Sequence, residues 1–325
     1  MMKISSDIEK KRILLGNKSI ADNEAAFHIG YGTDENFVMP MGVSIISVLE
    51  NNKTKPVAFH ILTEHISEES KNKLEQIVEK YPQSAICIHC LDLSVLDGLP
   101  VFSSLGKAAY IRIFLDQILP KSLGRILYLD GDIICLGDLE ELSKKSFEKA
   151  TVMVVKDKPD TAQKQEAKFH LRNYFNSGML YINLSQWKEH HIPEQFLDVC
   201  FTYKKQLNHL DQDALNIVLQ DQKMLLDERF NYIPDADRKN DRLPKGTLFL
   251  HYAGTKPWYC WLRFPMQKYF YEYYGLSPWK EVSLTQPRNY REMHYMSRYY
   301  RKEGKLGTSL YWLVRYLTTK AITKL

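Results

Sequence analysis

Two aspartates separated by a single glycine, Asp130 and Asp132, are the residues of this chain best suited to chemistry on a bound ion. They follow the mainly apolar run 125–129, which predicts a buried strand. Residues i and i+2 of a strand point to the same side, so both carboxylates face one way where the strand ends. Paired oxygen ligands suit a hard divalent cation such as Mn²⁺ or Mg²⁺, and such ions commonly hold a diphosphate.

An isolated Asp-x-Asp is also typical of an ordinary surface turn, so its context has to decide. An EF-hand calcium loop would need an oxygen ligand at position 134 and a glycine after it, whereas the chain has Ile134 and Cys135. The apolar strand that leads into the motif favours an α/β sheet whose strand ends carry ligand groups.

Strand-like and helix-like patterns alternate around this motif. Strands are expected at 25–31, 57–62, 85–93, 126–129, 150–155, 178–184 and 247–252, and helices at 42–49, 68–81, 108–119 and 211–219. This alternation predicts βα units and a mostly parallel, Rossmann-like sheet. Residues 1–24 are polar and lack periodicity, so we expect an N-terminal extension with little regular structure.

Length and composition indicate a globular enzyme-sized protein with one large core or two ordinary domains. No segment approaches the ~18 uninterrupted apolar residues of a membrane-spanning helix, and residues 1–20 lack a signal-peptide core, so we expect a cytosolic protein. Five cysteines do not suggest a disulfide framework. Cys87 and Cys90 would face opposite sides of an extended segment, which favours packing over a zinc site.

Four further segments place polar groups at expected strand or helix ends. They are Gly32-Thr33-Asp34-Glu35-Asn36, Phe175-Asn176-Ser177-Gly178, Asp211-Gln212-Asp213, and the run from His251 through Gly254 and Lys256 to Trp258. With Asp130-Gly131-Asp132 they resemble glycosyltransferase family 8, the retaining GT-A enzymes that include bacterial lipopolysaccharide galactosyl- and glucosyltransferases and, more distantly, glycogenin. The resemblance covers residues 25–258. Ser277-Pro-Trp-Lys280, Gln286-Pro287 and the basic aromatic tail resemble the C-terminal region of the lipopolysaccharide outer-core enzymes.

The resemblance implies an α/β fold of the GT-A type, with a central sheet flanked by helices and a helical, basic C-terminal region. We accordingly divide the chain into an N-terminal extension at 1–24, a catalytic domain at 25–265 and a membrane- or acceptor-associating region at 266–325.

The resemblance also implies a metal site and a nucleotide site. Asp130, Asp132 and His251 would bind the metal, and this mixture of carboxylates and imidazole favours Mn²⁺, with Mg²⁺ as the harder alternative. The implied donor-binding residues are Gly32, Thr33, Asp34, Asn36 and Arg112. Taken alone, Gly-Thr-Asp is equally typical of a surface turn and His251 of an ordinary strand histidine.

A third implied group would contact the transferred sugar. Asn176 and Asp211 would grip its hydroxyls, because buried hydroxyls need directional partners, and Gln212 would lie beside the anomeric carbon. The candidate catalytic residues are therefore Gln212, Asp211, Asp130 and Asp132. The Asp-Gln-Asp triplet also suits a helix N-terminus, and both roles are compatible.

Lys256 would neutralise the diphosphate leaving group, with Gly254 in the turn before it. The family pattern usually has two residues between this glycine and lysine, whereas here Thr255 alone separates them. The shortened loop leaves open whether Lys256 reaches the phosphate, although Pro257 and Trp258 keep to the pattern.

The positive charge of the chain is concentrated in its tail. Residues 288–325 contain nine Lys and Arg and only two Glu, within a net charge of +5 for the whole chain. Five apolar residues of the tail share one helical face, namely Leu310, Leu313, Val314, Leu317 and Ala321. This favours an interfacial helix attracted to anionic lipid or to phosphorylated lipopolysaccharide. Packing of the same stripe against the catalytic domain is an open alternative.

The resemblance implies a metal-dependent transfer of glucose or galactose from a UDP-hexose donor to the lipopolysaccharide outer core, with retention and an α-linkage. We expect a cytoplasmic protein, peripheral on the inner membrane, that binds no nucleic acid because its net positive charge is confined to the tail and no binding-module signature accompanies it. Retention ordinarily calls for a carboxylate nucleophile, whereas the matching residue, Gln212, is an amide. A front-face reaction is therefore preferred, with Asp211 left as a possible covalent participant. Another glycan acceptor, a metal-dependent nucleotidyltransferase and a catalytically silent membrane-surface protein remain the alternatives.

Overall fold

The computed structural model describes residues 8–100, 106–235 and 242–323. Its strands are β1 (Glu9–Gly16), β2 (Phe27–Gly32), β3 (Val57–Thr63), β4 (Ser84–Leu91), β5 (Arg125–Leu129), β6 (Ile133–Cys135), β7 (Val152–Lys156), β8 (Phe175–Asn183), β9 (Lys223–Leu226) and β10 (Phe249–His251). Eight of them form one sheet in the order β1-β4-β3-β2-β5-β8-β7-β9, and β6 pairs with β10. The run β4-β3-β2-β5 is parallel, as is the pair β7-β9, so the expected mostly parallel sheet is confirmed.

Helices cover both faces of this sheet. They are α1 (Lys18–Ala21), α2 (Val38–Asn51), α3 (Glu68–Lys80), α4 (Leu115–Ile118), α5 (Glu140–Ser143), α6 (Pro159–Phe169), α7 (Leu184–Glu189), α8 (Ile192–Tyr203), α9 (Asp211–Val218), α10 (Gln267–Tyr274), α11 (Tyr290–Lys302) and α12 (Leu306–Thr323). One apolar layer joins α2, α3 and α10 to the sheet, and a second joins α4, α7, α8 and α9 to its other face. Three-layer packing of this kind brings the strand ends together at one edge.

The helix expected at 108–119 is a 3₁₀ helix over Gly106–Phe114 and continues as α4 for one turn. Periodicity over so few turns does not distinguish three residues per turn from 3.6. The segment still buries its apolar residues and Arg112 against the sheet.

The expectation of little structure before residue 25 is wrong for the part that the structure describes. Strand β1 pairs antiparallel with β4 at one edge of the sheet, and α1 follows it. Most side chains of β1 are exposed or half-buried, because an edge strand needs no continuous apolar face. Its sequence therefore lacks the alternation by which strands are recognised, while residues 1–7 lie outside the described part.

Three buried histidines form a row across β2, β3 and β4. His28 Nδ1 lies 2.9 Å from His60 Nε2, and His60 Nδ1 lies 3.2 Å from His89 Nε2. At one end His89 Nδ1 lies 2.6 Å from Glu9 Oε1 of β1, and at the other His28 Nε2 lies 3.0 Å from the carbonyl oxygen of Asn23. The row ties the edge strand to the centre of the sheet.

Helices α11 and α12 pack mainly on each other. Ser297 and Ser309 each donate a hydrogen bond from the hydroxyl to the carbonyl oxygen of the other, at 2.9 Å. The apolar stripe of α12 is left facing outward, with Leu310, Val314 and Leu317 more than half exposed. Within the described ranges, no helix is both long enough and apolar enough to span a bilayer.

Candidate active site

A cavity of about 250 Å³ opens where β2, β5 and β10 end and where β8 and α9 begin. Twelve of the thirteen site residues expected from the sequence line it: Gly32, Thr33, Asp34, Arg112, Asp130, Asp132, Asn176, Asp211, Gln212, His251, Gly254 and Lys256. Asn36 is the exception, since it is exposed on a short 3₁₀ helix outside the cavity wall. Its contact with the nucleotide therefore stays a prediction.

Asp130, Asp132 and His251 offer ligand atoms that all lie within 4.8 Å of one another. Antiparallel pairing of β10 with β6 sets His251 opposite Ile133 and so beside the two aspartates. His251 Nε2 lies 3.3 Å from Asp132 Oδ1, and both side chains are buried. Among the described residues this is the one cluster of three or more His, Cys, Asp or Glu ligand atoms close enough to share an ion.

Gly178 on β8 makes this close approach possible. A Cβ atom at this position would lie 2.3 Å from Cε1 of His251 and 2.9 Å from Oδ2 of Asp130. Any larger residue would push the two ligands apart. The site thus offers two carboxylates and one imidazole, packed over Gly178 and open to the cavity. This set of ligand atoms fits Mn²⁺.

Arg112 is a buried cation between two carboxylates. Its Nη2 donates to Asp130 Oδ1 at 2.9 Å, and its Nε lies 3.5 Å from Asp211 Oδ2. Burial alone would lower the pKa of Arg112, but Asp130 and Tyr128 raise it overall, so the guanidinium stays charged. The ring of Tyr128 also lies 4.4 Å from the guanidinium carbon. Nothing in the local sequence indicates that Arg112 is buried.

Lys256 reaches the metal cluster despite the shortened loop. Its Nζ donates to Asp132 Oδ2 and, at 3.3 Å, to the carbonyl oxygen of Tyr252. Although burial opposes ionisation, Lys256 and His251 hold the pKa of Asp132 far below its usual range. Asp132 is therefore a carboxylate at any physiological pH, as a metal ligand must be.

Gln212 has its amide fixed by four partners. Its Oε1 accepts from Asn176 Nδ2 at 3.0 Å and from the backbone N–H of Ser177 at 3.1 Å. Its Nε2 donates to Asp157 Oδ2 at 2.7 Å and to the Tyr174 hydroxyl at 3.1 Å. A carboxylate can only accept, so the carbonyl oxygen of Gln212 must face Asn176 and Ser177.

Asp211 precedes Gln212 at the first position of α9. Its Oδ2 accepts from the Ser177 hydroxyl at 3.1 Å. Burial raises the pKa of Asp211 to about 6, against the lowering effect of Arg112. Leu210, just before it, has a φ of 44°, a strained value for leucine. Asp213 holds this turn by accepting from two backbone N–H groups, those of Asn208 and His209.

Asp34 has a structural duty beside the expected nucleotide contact. Its Oδ1 caps the 3₁₀ helix by accepting from the backbone N–H groups of Asn36 and Phe37, at 2.9 and 3.1 Å. Phe37 lines the cavity instead of Asn36. The surface-turn interpretation of Gly-Thr-Asp and the site interpretation are therefore both compatible with this geometry.

Several residues of the site were missed from the sequence. Ser177 and His209 line the cavity, while Asp157, Tyr174 and Asn231 lie behind it. Asp157 had a usable signal, because it is a polar residue at the end of a strand, and Ser177 lies within the segment 175–178 that the sequence already singled out. His209, Tyr174 and Asn231 carry no distinguishing local pattern.

Comparison with known proteins identifies the sequence family. The family model described as Glycosyl transferase family 8 matches residues 28–261, and the one described as Glycosyl transferase family 8 C-terminal matches residues 264–320. The chain is 33% identical to a lipopolysaccharide 1,2-glucosyltransferase of Escherichia coli over 80% of its own length and 81% of that protein's. It is 28% identical to a lipopolysaccharide 1,3-galactosyltransferase of Salmonella typhimurium, over 91% and 92%.

Among solved structures, the galactosyltransferase LgtC in complex with donor and acceptor sugar analogues is similar to this fold. The TM-score is 0.67 with 23% sequence identity, and the match covers 82% of this chain and 99% of LgtC. At 23% sequence identity, this match shows that the two chains share a fold.

Proposed function

The chain belongs to glycosyltransferase family 8 and is a hexosyltransferase, and from that premise we propose that it transfers glucose or galactose from a UDP-sugar to a sugar of the lipopolysaccharide outer core. The proposal includes retention of the anomeric configuration and an α-linkage. The observation that carries it is the meeting of Asp130, Asp132 and His251 with Gln212 in one cavity, in a chain whose relatives are named for lipopolysaccharide glycosyl transfer.

Asp130, Asp132 and His251 would hold Mn²⁺ in this proposal. The ion would supply positive charge to a diphosphate leaving group. Lys256 and Arg112 add fixed cations on either side of the carboxylate pair, and preorganised charges of this kind stabilise the charge that develops on the leaving group.

The remaining residues act on the sugar. In this proposal Asn176 and Asp211 would hold its hydroxyls, and Gln212, whose amide is fixed by Asn176 and Ser177, would lie beside the anomeric carbon. An amide oxygen is a weak nucleophile, so we prefer a front-face reaction in which the leaving phosphate accepts the proton of the attacking hydroxyl. Asp211 remains the carboxylate available for a covalent alternative.

We further propose that the C-terminal region, residues 266–325, binds an anionic membrane surface or the phosphorylated acceptor. The exposed apolar stripe of α12 and the basic residues around it support this role. A protein held in this way would act at the cytoplasmic face of the inner membrane.

The decisive experiment is UDP release by the purified protein with Mn²⁺, comparing UDP-glucose with UDP-galactose, with and without truncated lipopolysaccharide. We expect acceptor-stimulated release from one donor, abolished by EDTA. Release of pyrophosphate would indicate a nucleotidyltransferase instead. UDP binding without release from either donor would point to another sugar or acceptor, or to a silent binding protein. Absence of UDP binding would contradict the proposal.

A further inference from the structure

Asn231 is a buried amide that connects the metal cluster to the sugar-binding residues. It follows a 3₁₀ helix, Glu228–Phe230, and is only 3% exposed. Its Oδ1 lies 3.1 Å from His251 Nδ1, and its Nδ2 donates to Asn176 Oδ1 at 3.0 Å. Asn231 thus contacts one residue of each group while lying behind the cavity.

The orientation of each amide in this chain follows from two fixed ends. At one end the backbone N–H of Gly178 donates to Asn176 at 3.0 Å, so the atom facing it is the oxygen. Asn231 must therefore point its nitrogen at that oxygen, and its own oxygen at His251. At the other end, the Asp157 carboxylate fixes Gln212 with its nitrogen outward and its oxygen toward Asn176 Nδ2. The two anchors agree, so a single arrangement satisfies every donor.

This arrangement determines the tautomer of His251. Asn231 Oδ1 can only accept, so Nδ1 of His251 carries a proton, and in the neutral ring Nε2 is then the nitrogen whose lone pair can bind a metal. Nε2 is the atom near Asp132 at the metal cluster. A partner that fixes the non-ligating nitrogen of a histidine typically orients the ring and tunes its affinity for the metal.

We propose that Asn231 is a positioning residue that presents His251 Nε2 to the metal and, through Asn176, fixes the orientation of the Gln212 amide in the cavity wall. The inference rests on the proposed function for the identity of the donor. Asn231 would couple metal binding to sugar binding, because the same side chain contacts the metal ligand His251 and, through Asn176, the amide of Gln212. Loss of its acceptor should weaken metal binding, and loss of its donor should weaken binding of the hexose.

Two substitutions separate these effects. Asn231→Leu removes both the acceptor and the donor at similar volume, and we expect Mn²⁺ affinity to fall about 10- to 100-fold, as for other partners of metal-binding histidines. Asn231→Asp keeps an acceptor for His251 but cannot donate to Asn176. We expect its Mn²⁺ affinity to stay within about threefold of wild type. Its affinity for UDP-hexose should fall to its affinity for UDP, because the hexose would no longer add to binding.

The measurements do not depend on turnover. Mn²⁺ affinity is obtained from the electron paramagnetic resonance signal of the free ion, and UDP and UDP-hexose affinities from calorimetry in the presence of Mn²⁺. Asn52→Asp is the matched control, because Asn52 is equally buried and bonded on both sides of its amide but lies away from the cavity. It should show a comparable loss of thermal stability with unchanged affinities.

The inference would be overturned if Asn231→Leu bound Mn²⁺ with wild-type affinity. It would also be overturned if Asn231→Asp still bound UDP-hexose more tightly than UDP by the wild-type factor. If Asn231→Leu does not fold, the contrast between Asn231→Asp and the Asn52 control decides. A wild-type protein that binds Mn²⁺ but neither UDP-sugar would instead count against the proposed function, and the Mn²⁺ affinities would still test the role of Asn231. If the wild type binds no Mn²⁺, both proposals fail.

Discussion

Helices α2 and α12 are both rich in apolar residues, yet the fold treats them in opposite ways. Eleven of the 14 residues of α2 are buried, and Gly42 packs so closely under Trp279 that an added Cβ would lie 2.2 Å from that ring. In α12 one residue of 18 is buried, and it is Ser309. A helix that is apolar on all sides is made for a core, whereas a one-sided helix needs a second surface to cover it.

The comparison separates two kinds of apolar surface in one chain. In residues 28–261 the apolar residues pack against the sheet and so fix the strand ends whose side chains form the site. Helix α12 leaves Leu310, Val314 and Leu317 exposed beside Arg315 and Lys320. Substitutions in the first region should therefore affect stability or chemistry, and those in the second should affect attachment alone.

The largest effect is expected at the metal cluster. Asp130→Ala and Asp132→Ala should each lower transfer at least about 10³-fold, because under the proposed function each removes a ligand of the metal and its charge. Gln212→Ala should retain measurable transfer. Rates of UDP release with acceptor test this, with the exposed Asp138→Ala as a control expected to match wild type. Equal and total loss in all three site variants would contradict the assigned roles.

The two helices can be compared directly by truncating one leucine in each. Leu49→Ala in α2 should lower the free energy of unfolding by about 2–5 kcal/mol, because it leaves a cavity in a fully buried site. Leu310→Ala in α12 should change it by less than about 0.5 kcal/mol. Urea unfolding followed by circular dichroism measures both. A large loss in the Leu310 variant would mean that the stripe packs on another part of the chain.

Removal of the tail should abolish membrane binding without unfolding the rest of the chain. A chain ending at Pro287 should stay folded and bind UDP, yet lose about 100-fold or more in affinity for vesicles of anionic lipid, since each basic residue near such a surface contributes about 1 kcal/mol. Vesicle sedimentation at low and high salt measures this. A chain ending at Lys305 removes α12 alone and shows which helix matters. Unfolding of both truncated chains would indicate that the tail belongs to the core.

A pH-dependent effect is expected at Asp116, a half-buried carboxyl on α4. Burial and the nearby Glu194 together raise its pKa to about 7, and its Oδ1 has no hydrogen-bond partner among the described residues. The folded state thus holds a proton that the unfolded state has released above about pH 4. Stability should fall as pH rises from about 4 to 7, by up to about 1.4 kcal/mol per pH unit.

Asp116→Asn should remove that slope and be more stable than wild type at pH 8. Urea titrations at several pH values test it, with Asp198→Asn, at an exposed position of α8, as the control. An unchanged slope in the Asp116 variant would assign the pH dependence to other groups.

Much of the fold could be predicted from the sequence because most strands of the sheet are buried on both sides. Strands β2, β3, β4 and β5 fall close to their expected positions, as does α9 with Asp211 and Gln212 at its start. Strand β1 could not be recognised, since an edge strand keeps mostly polar side chains. Residues within a sequence motif can be recognised from the sequence alone. The roles of Asn231 and Tyr174 can be recognised only in the folded chain, because they contact residues that are distant in sequence. The burial of Arg112 depends likewise on Asp130 and Asp211.

The row of three histidines across β2, β3 and β4 is one proton short of a full set of hydrogen bonds. Its four contacts need four protons, yet three neutral imidazoles supply only three. Burial lowers the pKa of all three rings, most strongly that of His60, so the neutral count applies near pH 7. Because the Glu9 carboxylate accepts from His89, that ring carries its proton on Nδ1, and one of the other three contacts is left without a proton. A single added proton would complete the row.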